Sequence, residues 1–496
     1  MKRTLIIGAF LSLSNGASAH RALNDTDYAN LSNLPLYPHR DDAHPSVDKD
    51  GHIIMPDDTA IPNRRRGLRT PRTRQSQQQR RRHLTSGTFH NLVLLLKFAN
   101  HVNRPLPPRK HYDLLYNSPS TSQEIIPTGS VKTYFRTNSY GAFNVETTVL
   151  GWIELSHSES YYANGDYGFV KLQEAIVEAL EWVQDNGYDF NDFDSNGDGV
   201  VDGFGLLISG YGAEFAGADC DGAENVNRIW SHKGGVDWTS SNNVTVDRYY
   251  VSSGLRNKCG SDIARMGVIC HELGHYLGLP DLYDNTFEGS GIGAFDVMSQ
   301  SWGFDGSGVY PPLLSAWSKV SVGWVTPTLI EEDGTYELEN SETSDEIYRI
   351  DAGFPEGEFL LLENRQPDGY DSKIPHGGIA IWHIDEKATQ NTRGYPGQEL
   401  WPENGQHYRV ALIPADGNYH LEKGVNQGDA HDLWHASSAY IELKSGGGQY
   451  PNTDSYQDGL VTKTEIKIYG FSPSNQKMTF TVTGLGTKPP TIVSTI

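Results

Sequence analysis

The sequence predicts an α+β protein in two parts, a mixed part over residues 83–325 and an all-β, sandwich-like module over residues 326–496. An apolar run over 91–98 has the length and composition of a buried strand. Apolar residues recur every three or four positions over 170–183, which predicts an amphipathic helix. After Trp324 the pattern changes to short alternating runs separated by Gly, Pro, Asp and Asn, which is typical of an all-β module.

Each element follows from a local pattern. The helix over 170–183 is expected to end near Gly187, and a further strand is predicted over 200–208. The strands expected in the second part are, in chain order, 335–338, 359–362, 378–383, 408–413, 466–469 and 478–483. We find no internal repeat.

Composition and charge exclude several classes of function. The net charge of −22 reflects an acidic body that repels phosphate backbones, so we expect no nucleic-acid partner. No internal apolar run approaches the roughly 18 residues that a transmembrane helix needs, so we expect no membrane-spanning segment. We further expect the chain to be a monomer.

The N-terminus has the pattern of an exported protein. Lys2 and Arg3 precede an apolar stretch over 5–13, and small residues over 17–19 resemble a cleavage site, so residues 1–19 are predicted to be a signal peptide. Residues 20–82 are basic and poor in apolar side chains. This segment is either a flexible linker or, as we favour, a propeptide cut near Arg82, and the protein is therefore expected to be extracellular.

Three cysteines agree with export without forming a disulfide scaffold. Cys220 and Cys259 lie in loop-like sequence and could pair. Cys270 lies inside a predicted helix, where we interpret it as a small buried apolar residue rather than a nucleophile.

The strongest chemical signal is a His-Glu-x-x-His motif. On a helix, His271 and His275 lie on one face, so both imidazoles can reach one zinc ion while Glu272 lies beside the bound water. Gly278 can adopt positive φ and turn the chain back. Asp281 then arrives six residues after the second histidine as a third ligand, which leaves one position open for water.

A second aspartate offers an alternative third ligand. Asp284 also follows the motif helix, with a carboxylate of the same reach. We favour Asp281 because the turn at Gly278 brings it over the metal, and we expect Asp284 to accept hydrogen bonds from its own loop or to orient a ligating histidine.

A second constellation predicts a calcium site. Its ligands stand at positions 1, 3, 5, 7 and 9 of a loop that resembles an EF-hand, with Gly199 at the sharp turn: Asp194, Asn196, Asp198, the Val200 carbonyl and Asp202. Position 12 is Gly205 rather than Glu, so the loop is truncated, and an Asx-rich turn without metal is the alternative. The segment 426–432 is a weaker candidate for a second calcium site, and the sequence leaves it open.

The sequence resembles the immune inhibitor A family of secreted zinc metalloproteases, which are relatives of the metzincins. The extended motif and segments around it carry the resemblance: Asp281-Leu282-Tyr283-Asp284, Phe295-Asp296-Val297-Met298-Ser299, Ile229-Trp230-Ser231-His232 and Glu363-Asn364-Arg365. The resemblance implies a metzincin-like protease domain with His271, His275 and Asp281 as zinc ligands. It also implies Glu272 as general base and Met298 as the methionine beneath the metal.

Together these features predict a secreted zinc-dependent endopeptidase made as a zymogen. A zinc-activated water would hydrolyse peptide bonds of protein or peptide substrates, with Glu272 accepting the proton. The alternative is a non-catalytic secreted adhesion or binding protein on a protease-derived fold. Retention of Glu272 beside all three ligands favours the enzyme, because loss of the base is the simplest route to an inactive descendant.

Overall fold

Residues 85–284, 286, 288–390, 393–446 and 449–486 are described by the computed structural model of this chain. The predicted signal peptide and the predicted propeptide over 20–82 lie outside the described residues, and they stay predictions. Within the described part, no helix is long and apolar enough to cross a membrane.

The first part of the chain is built on a five-stranded sheet. Its strands are β1 (Gly87–Lys97), β2 (Phe143–Glu154), β3 (Gly203–Tyr211), β4 (His232–Thr239) and β5 (Thr245–Leu255). The strand order is β2-β1-β3-β5-β4, with β4 antiparallel to β5 at one edge and the other pairs parallel. The predicted strand over 91–98 is confirmed within β1. The strand predicted over 200–208 begins only at Gly203, because Val200 forms only an isolated bridge with Thr245 and residues 201–202 separate it from the strand.

Six helices accompany this sheet in the described residues. They are α1 (Arg109–Asn117), α2 (Val131–Asn138), α3 (Glu159–Ala163), α4 (Leu172–Asp185), α5 (Met266–Tyr276) and α6 (Ala316–Ser321). The predicted amphipathic helix is α4, and the chain leaves it at Gly187 with a φ of 81°.

The interior strand β1 explains why helices cover both faces of the sheet. Its run of apolar residues is buried on both sides, as is typical of parallel sheets. Leu92 and Leu94 alternate with Val93 and Leu95, so that the first pair packs with α4 and the second pair packs in the core that contains α5. The helix with the His-Glu-x-x-His motif is thereby fixed against the sheet.

The second part is formed by two further sheets. Its strands are β6 (Thr328–Leu329), β7 (Gly334–Glu339), β8 (Tyr348–Ile350), β9 (Glu358–Arg365), β10 (Gly378–Asp385), β11 (Val410–Leu412), β12 (Glu442–Lys444), β13 (Lys467–Tyr469) and β14 (Lys477–Thr483). One sheet has the order β11-β10-β9-β8-β6 and the other β12-β13-β14-β7. All six predicted strands are found, and side chains from both sheets share one core.

The two parts of the chain also share a core. The cluster that contains Leu273 and Met298 of the first part continues into Leu361 and Trp382 of the second. A buried ionic network lies at this junction, where the Arg365 guanidinium contacts Glu363 at 3.2 Å and Asp371 at 2.5 Å. The β-rich part therefore packs directly against the region that carries the motif, and the boundary at residues 325 and 326 stays a prediction.

Candidate metal centre

The motif helix α5 is positioned by small residues on its packed side. A Cβ at Gly274 would lie 2.4 Å from the Met298 sulfur, and a Cβ at Gly267 would lie 2.1 Å from the Ser301 carbonyl oxygen. Only glycine permits this close approach between the helix and the segment around Met298. Beyond the helix the chain turns at Gly278, whose φ of 97° is the positive value expected from the sequence.

This turn brings three predicted ligands together. The Asp281 Oδ1 atom lies 3.2 Å from His271 Nε2 and 3.0 Å from His275 Nε2. The two Nε2 atoms are themselves 3.1 Å apart. These three residues form one of two groups in the described part of the chain whose ligand atoms converge closely enough to hold a metal ion.

The other ring nitrogens fix the orientation of both imidazoles. His271 Nδ1 lies 2.9 Å from the Val297 carbonyl oxygen, and His275 Nδ1 lies 2.9 Å from the Leu279 carbonyl oxygen. A carbonyl only accepts hydrogen bonds, so each Nδ1 donates, and in the neutral ring each Nε2 lone pair is directed at the centre. This is the arrangement that metal-ligating histidines ordinarily have.

Charge and hydrogen bonding also fit a bound cation. Asp281 Oδ1 is buried and has no hydrogen-bond partner of acceptable geometry, although two ring nitrogens are close. Burial alone would raise the pKa of Asp281, but the neighbouring His275 and His271 outweigh burial and hold that pKa well below its usual value. The residues present therefore fit a divalent metal bound by two imidazole nitrogens and one carboxylate oxygen.

Glu272 lies beside this group without belonging to it. Its side chain is buried, and its Oε2 atom has no hydrogen-bond partner. Burial raises the pKa of Glu272 to about 8, against the opposing effect of His271. Lys233 on β4 lies close enough for its charge to lower the pKa of Glu272. A buried carboxyl with a free oxygen next to a ligand group can accept and return a proton.

Asp284 does not join the ligand group in this structure. Its carboxylate accepts hydrogen bonds from the Thr286 and Gly289 backbone N–H groups at 2.8 and 3.0 Å. The Tyr408 hydroxyl donates to the same carboxylate from 3.2 Å. Asp284 therefore holds the loop that follows Asp281, as the sequence reasoning proposed for it.

Met298 lies against the motif helix, and its position beneath a bound metal stays a prediction. It is fully buried, and its backbone carbonyl accepts a hydrogen bond from Leu282 N at 2.9 Å. The segment around Met298 is held by Asp296, whose carboxylate accepts from Met298 N and from the Ser318 hydroxyl, both at 2.7 Å. Met298 thus links the motif helix to the loop that carries Asp281.

The predicted disulfide is present. Cys220 and Cys259 are bonded, with Cα atoms 5.4 Å apart, and Cys270 is free and buried. Burial raises the pKa of the Cys270 thiol well above its usual value, which agrees with an inert apolar role.

The predicted calcium loop is held by hydrogen bonds among its own residues. The Asp194 carboxylate accepts from the Asp198 and Gly199 backbone N–H groups at 3.0 and 2.8 Å. Asn196 also accepts from Asp198 N, and Asp202 accepts from the Ser195 hydroxyl. Neither of the two candidate metal groups found in the described residues includes this loop. The turn exists as predicted, and calcium binding there stays a prediction.

Sequence reasoning missed a buried polar pair formed by His101, in the turn after β1, and Glu159, at the start of α3. His101 and Glu159 line a cavity of about 610 Å³ that opens at the carboxyl ends of β1 and β3. His101 Nε2 lies 3.5 Å from Glu159 Oε2, and burial lowers the pKa of His101 to about 4 while it raises that of Glu159 to about 8. Neither residue belongs to a sequence motif, so their proximity is seen only in the folded structure.

Comparison with known proteins agrees with the geometry. Residues 106–324 match the family described as immune inhibitor A peptidase M6, catalytic domain. This part of the chain is similar to the catalytic domain of that family. The resemblance expected from the sequence is thereby confirmed.

Two relatives show how far the similarity extends. The chain is 26% identical over 260 residues to the pre-pro-metalloprotease PrtV of Vibrio cholerae serotype O1, which covers 42% of this chain and 27% of that protein. It is 27% identical over 277 residues to immune inhibitor A of Bacillus thuringiensis subsp. alesti, which covers 46% of this chain and 38% of that protein. The chain therefore spans well under half the length of these relatives, and the similarity supports a metallopeptidase.

Proposed function

We propose that this protein is a secreted zinc-dependent endopeptidase that hydrolyses peptide bonds of proteins and is made as a zymogen. The observation that carries the proposal is the convergence of His271, His275 and Asp281 beside the unpartnered carboxyl oxygen of Glu272. The match of residues 106–324 to a peptidase family supports the same reaction.

The ligand set favours zinc as the metal. Two imidazole nitrogens and one carboxylate oxygen form a three-residue set typical of catalytic zinc, in which a fourth position stays open. Zinc held there supplies a Lewis acid that lowers the pKa of a water molecule and polarises a peptide carbonyl. The hydrogen bonds from both Nδ1 atoms to backbone carbonyls keep the two rings oriented for this role.

Glu272 is proposed as the general base and then the general acid. The pKa of Glu272 is high because its carboxyl is buried. A positive charge bound nearby would lower that pKa and favour the ionised carboxylate. In that form the free Oε2 atom accepts a proton from the attacking water and later donates it to the leaving amine nitrogen. Burial of the side chain keeps bulk water from competing for this proton.

The edge strand β4 is proposed to position the substrate. It is the last strand in the sheet order, and it lies near α5. An extended peptide can add to such an edge through backbone hydrogen bonds. Lys233 on this strand acts on the pKa values of both Glu272 and His275, so a peptide bound along β4 would pass the ligand group.

Caseinolysis with controlled metal content tests this function. Protein that begins at residue 83 is assayed on denatured casein before and after removal of zinc by a chelator, and again after zinc is restored. We expect activity to disappear with the chelator and to return with zinc. Full activity in the stripped protein would refute the proposal.

A further inference from the structure

We propose that Asp416, His420 and Asp429 form a second metal site, which binds a divalent transition-metal ion such as zinc. The site lies in the β-rich part of the chain, between β11 and β12, and shares no residue with the centre at His271. One of its ligands, Asp429, lies in the segment 426–432 that the sequence left open as a calcium candidate. The other two, Asp416 and His420, lie outside that segment.

The three side chains converge without any sequence motif. One ligand atom from each lies within 4.8 Å of the other two, and all three residues are partly buried. His420 Nδ1 lies 3.3 Å from Asp429 Oδ2. The turn between them is held by Asn426, whose side-chain nitrogen donates to Asp429 Oδ2 at 2.8 Å and whose oxygen accepts from Gly428 N at 3.0 Å.

Two further buried carboxyls provide an independent indication of a cation. Glu422 is only 4% exposed, and its Oε2 atom has no hydrogen-bond partner. Asp432 is 1% exposed and accepts from the Asp429 backbone N–H. The charge of Glu422 acts on Asp432, and that of Asp416 acts on both, so these carboxyls belong to one electrostatic group.

This group has little positive charge to compensate it. The Lys423 ammonium group donates to the Asn418 carbonyl oxygen at 2.7 Å. A divalent cation would supply the missing charge and would favour the ionised form of every carboxyl in the group.

The donor atoms decide the class of metal. Calcium and magnesium prefer an all-oxygen set, whereas an imidazole nitrogen combined with carboxylate oxygens is typical of zinc and neighbouring transition metals. His420 supplies that nitrogen. Its side chain is 32% exposed, which leaves a route for the ion and for a water ligand.

The position of the site gives it a structural role. The same segment holds the loop that follows Asp281, since Ser290 N donates to the Leu421 carbonyl at 2.8 Å and Ala294 N donates to the Gln427 carbonyl at 2.7 Å. An ion that ties residues 416 and 429 together would therefore brace the loop that carries the third ligand of the first centre.

Metal analysis of the full chain tests the proposal. Chelator-stripped protein is dialysed against zinc, and bound zinc is counted in the wild type and in Asp416→Asn, Asp429→Asn and His420→Gln. We expect each variant to bind one equivalent less than the wild type, whether or not the centre at His271 is filled. His420→Gln changes a partly exposed side chain, so it keeps the test valid if a buried aspartate variant fails to fold.

Asp458→Asn is the matched control, because it removes the same charge in the same module at an exposed position of φ 56° that Asn tolerates. It should bind as much zinc as the wild type. Zinc should also raise the melting temperature of the control by about 3 to 6 °C more than that of Asp416→Asn. Unchanged zinc content in all three site variants would overturn the proposal, as would a response to calcium alone that His420→Gln does not alter.

Discussion

The identity of the third ligand gives the most discriminating mutational prediction. Asp281→Asn and Asp284→Asn each replace one carboxylate by an amide of the same shape, three residues apart in the chain. The structure assigns them different partners: Asp281 faces two imidazoles, whereas Asp284 faces backbone N–H groups of its own loop. The two variants should therefore fail in different assays.

The expected magnitudes follow from these contacts. Changes to partners that only orient a ligand typically cost 10- to 100-fold in metal affinity, so loss of a direct anionic ligand in Asp281→Asn should cost on the order of 100-fold or more. In Asp284→Asn, an amide nitrogen replaces one acceptor and leaves a buried donor unsatisfied, at a cost of about 1–3 kcal/mol. That loss should lower the melting temperature by about 2 to 6 °C.

The assay measures zinc per chain after dialysis at a fixed free zinc concentration, together with thermal unfolding. Asp281→Asn should have at least half an equivalent less zinc than the wild type, and Asp284→Asn should keep its zinc while unfolding at lower temperature. Zinc that is retained by Asp281→Asn and lost from Asp284→Asn would refute the assigned geometry.

Three further predictions concern stability. Burial raises the pKa of Glu159 to about 8, so its carboxyl stays protonated in the folded protein up to that pH, whereas the unfolded chain loses the proton at lower pH. Glu159 should therefore lower the free energy of unfolding by about 2 kcal/mol between pH 6.5 and pH 8. Urea titrations of Glu159→Gln should lack this pH-dependent loss. Gly274→Ala should lower the melting temperature, because a contact at 2.4 Å with Met298 outweighs the gain of about 1 kcal/mol in helix propensity, and it should be harmless in a Met298→Ala background. Calcium should raise the melting temperature of chelated wild type more than that of Asp194→Asn.

Each of these has an outcome that would contradict it. A pH dependence that is identical in Glu159→Gln and wild type would place the titration elsewhere; above pH 6.5 His101 stays neutral in both proteins, because its pKa is lowered to about 4. Equal destabilisation by Gly274→Ala with and without Met298 would exclude their contact as the cause. Equal calcium responses in wild type and Asp194→Asn would exclude the predicted loop as a calcium site.

The convergence of the three predicted ligands could be foreseen from the sequence because its geometry is local, and metal binding there stays a prediction. Positions 271 and 275 share a helix face whatever surrounds them, and the turn at Gly278 needs only a residue that adopts positive φ. The carbonyls of Val297 and Leu279 could not be predicted as the partners of the imidazoles, since every residue carries a carbonyl and the side-chain pattern does not distinguish them.

Features that depend on distant segments were not predictable in the same way. The cluster at Asp416, His420 and Asp429 forms through irregular loops without a helical or strand period, so no spacing rule relates its members. The His101–Glu159 pair joins the turn after β1 to the start of α3 across 58 residues. The start of β3 was misplaced because Val200 and Val201 are apolar enough for a strand, yet Val200 makes only an isolated bridge with Thr245 before it.

The central claim is that Glu272 transfers the proton during peptide hydrolysis without binding the metal. Glu272→Gln keeps the size of the side chain and removes its basicity, so it tests this role directly. Protein that begins at residue 83 is loaded with zinc, its zinc content is measured, and casein hydrolysis is followed. We predict zinc content equal to that of the wild type and a rate lower by about 10² to 10⁴-fold. Hydrolysis at the wild-type rate by the zinc-loaded variant would contradict the account.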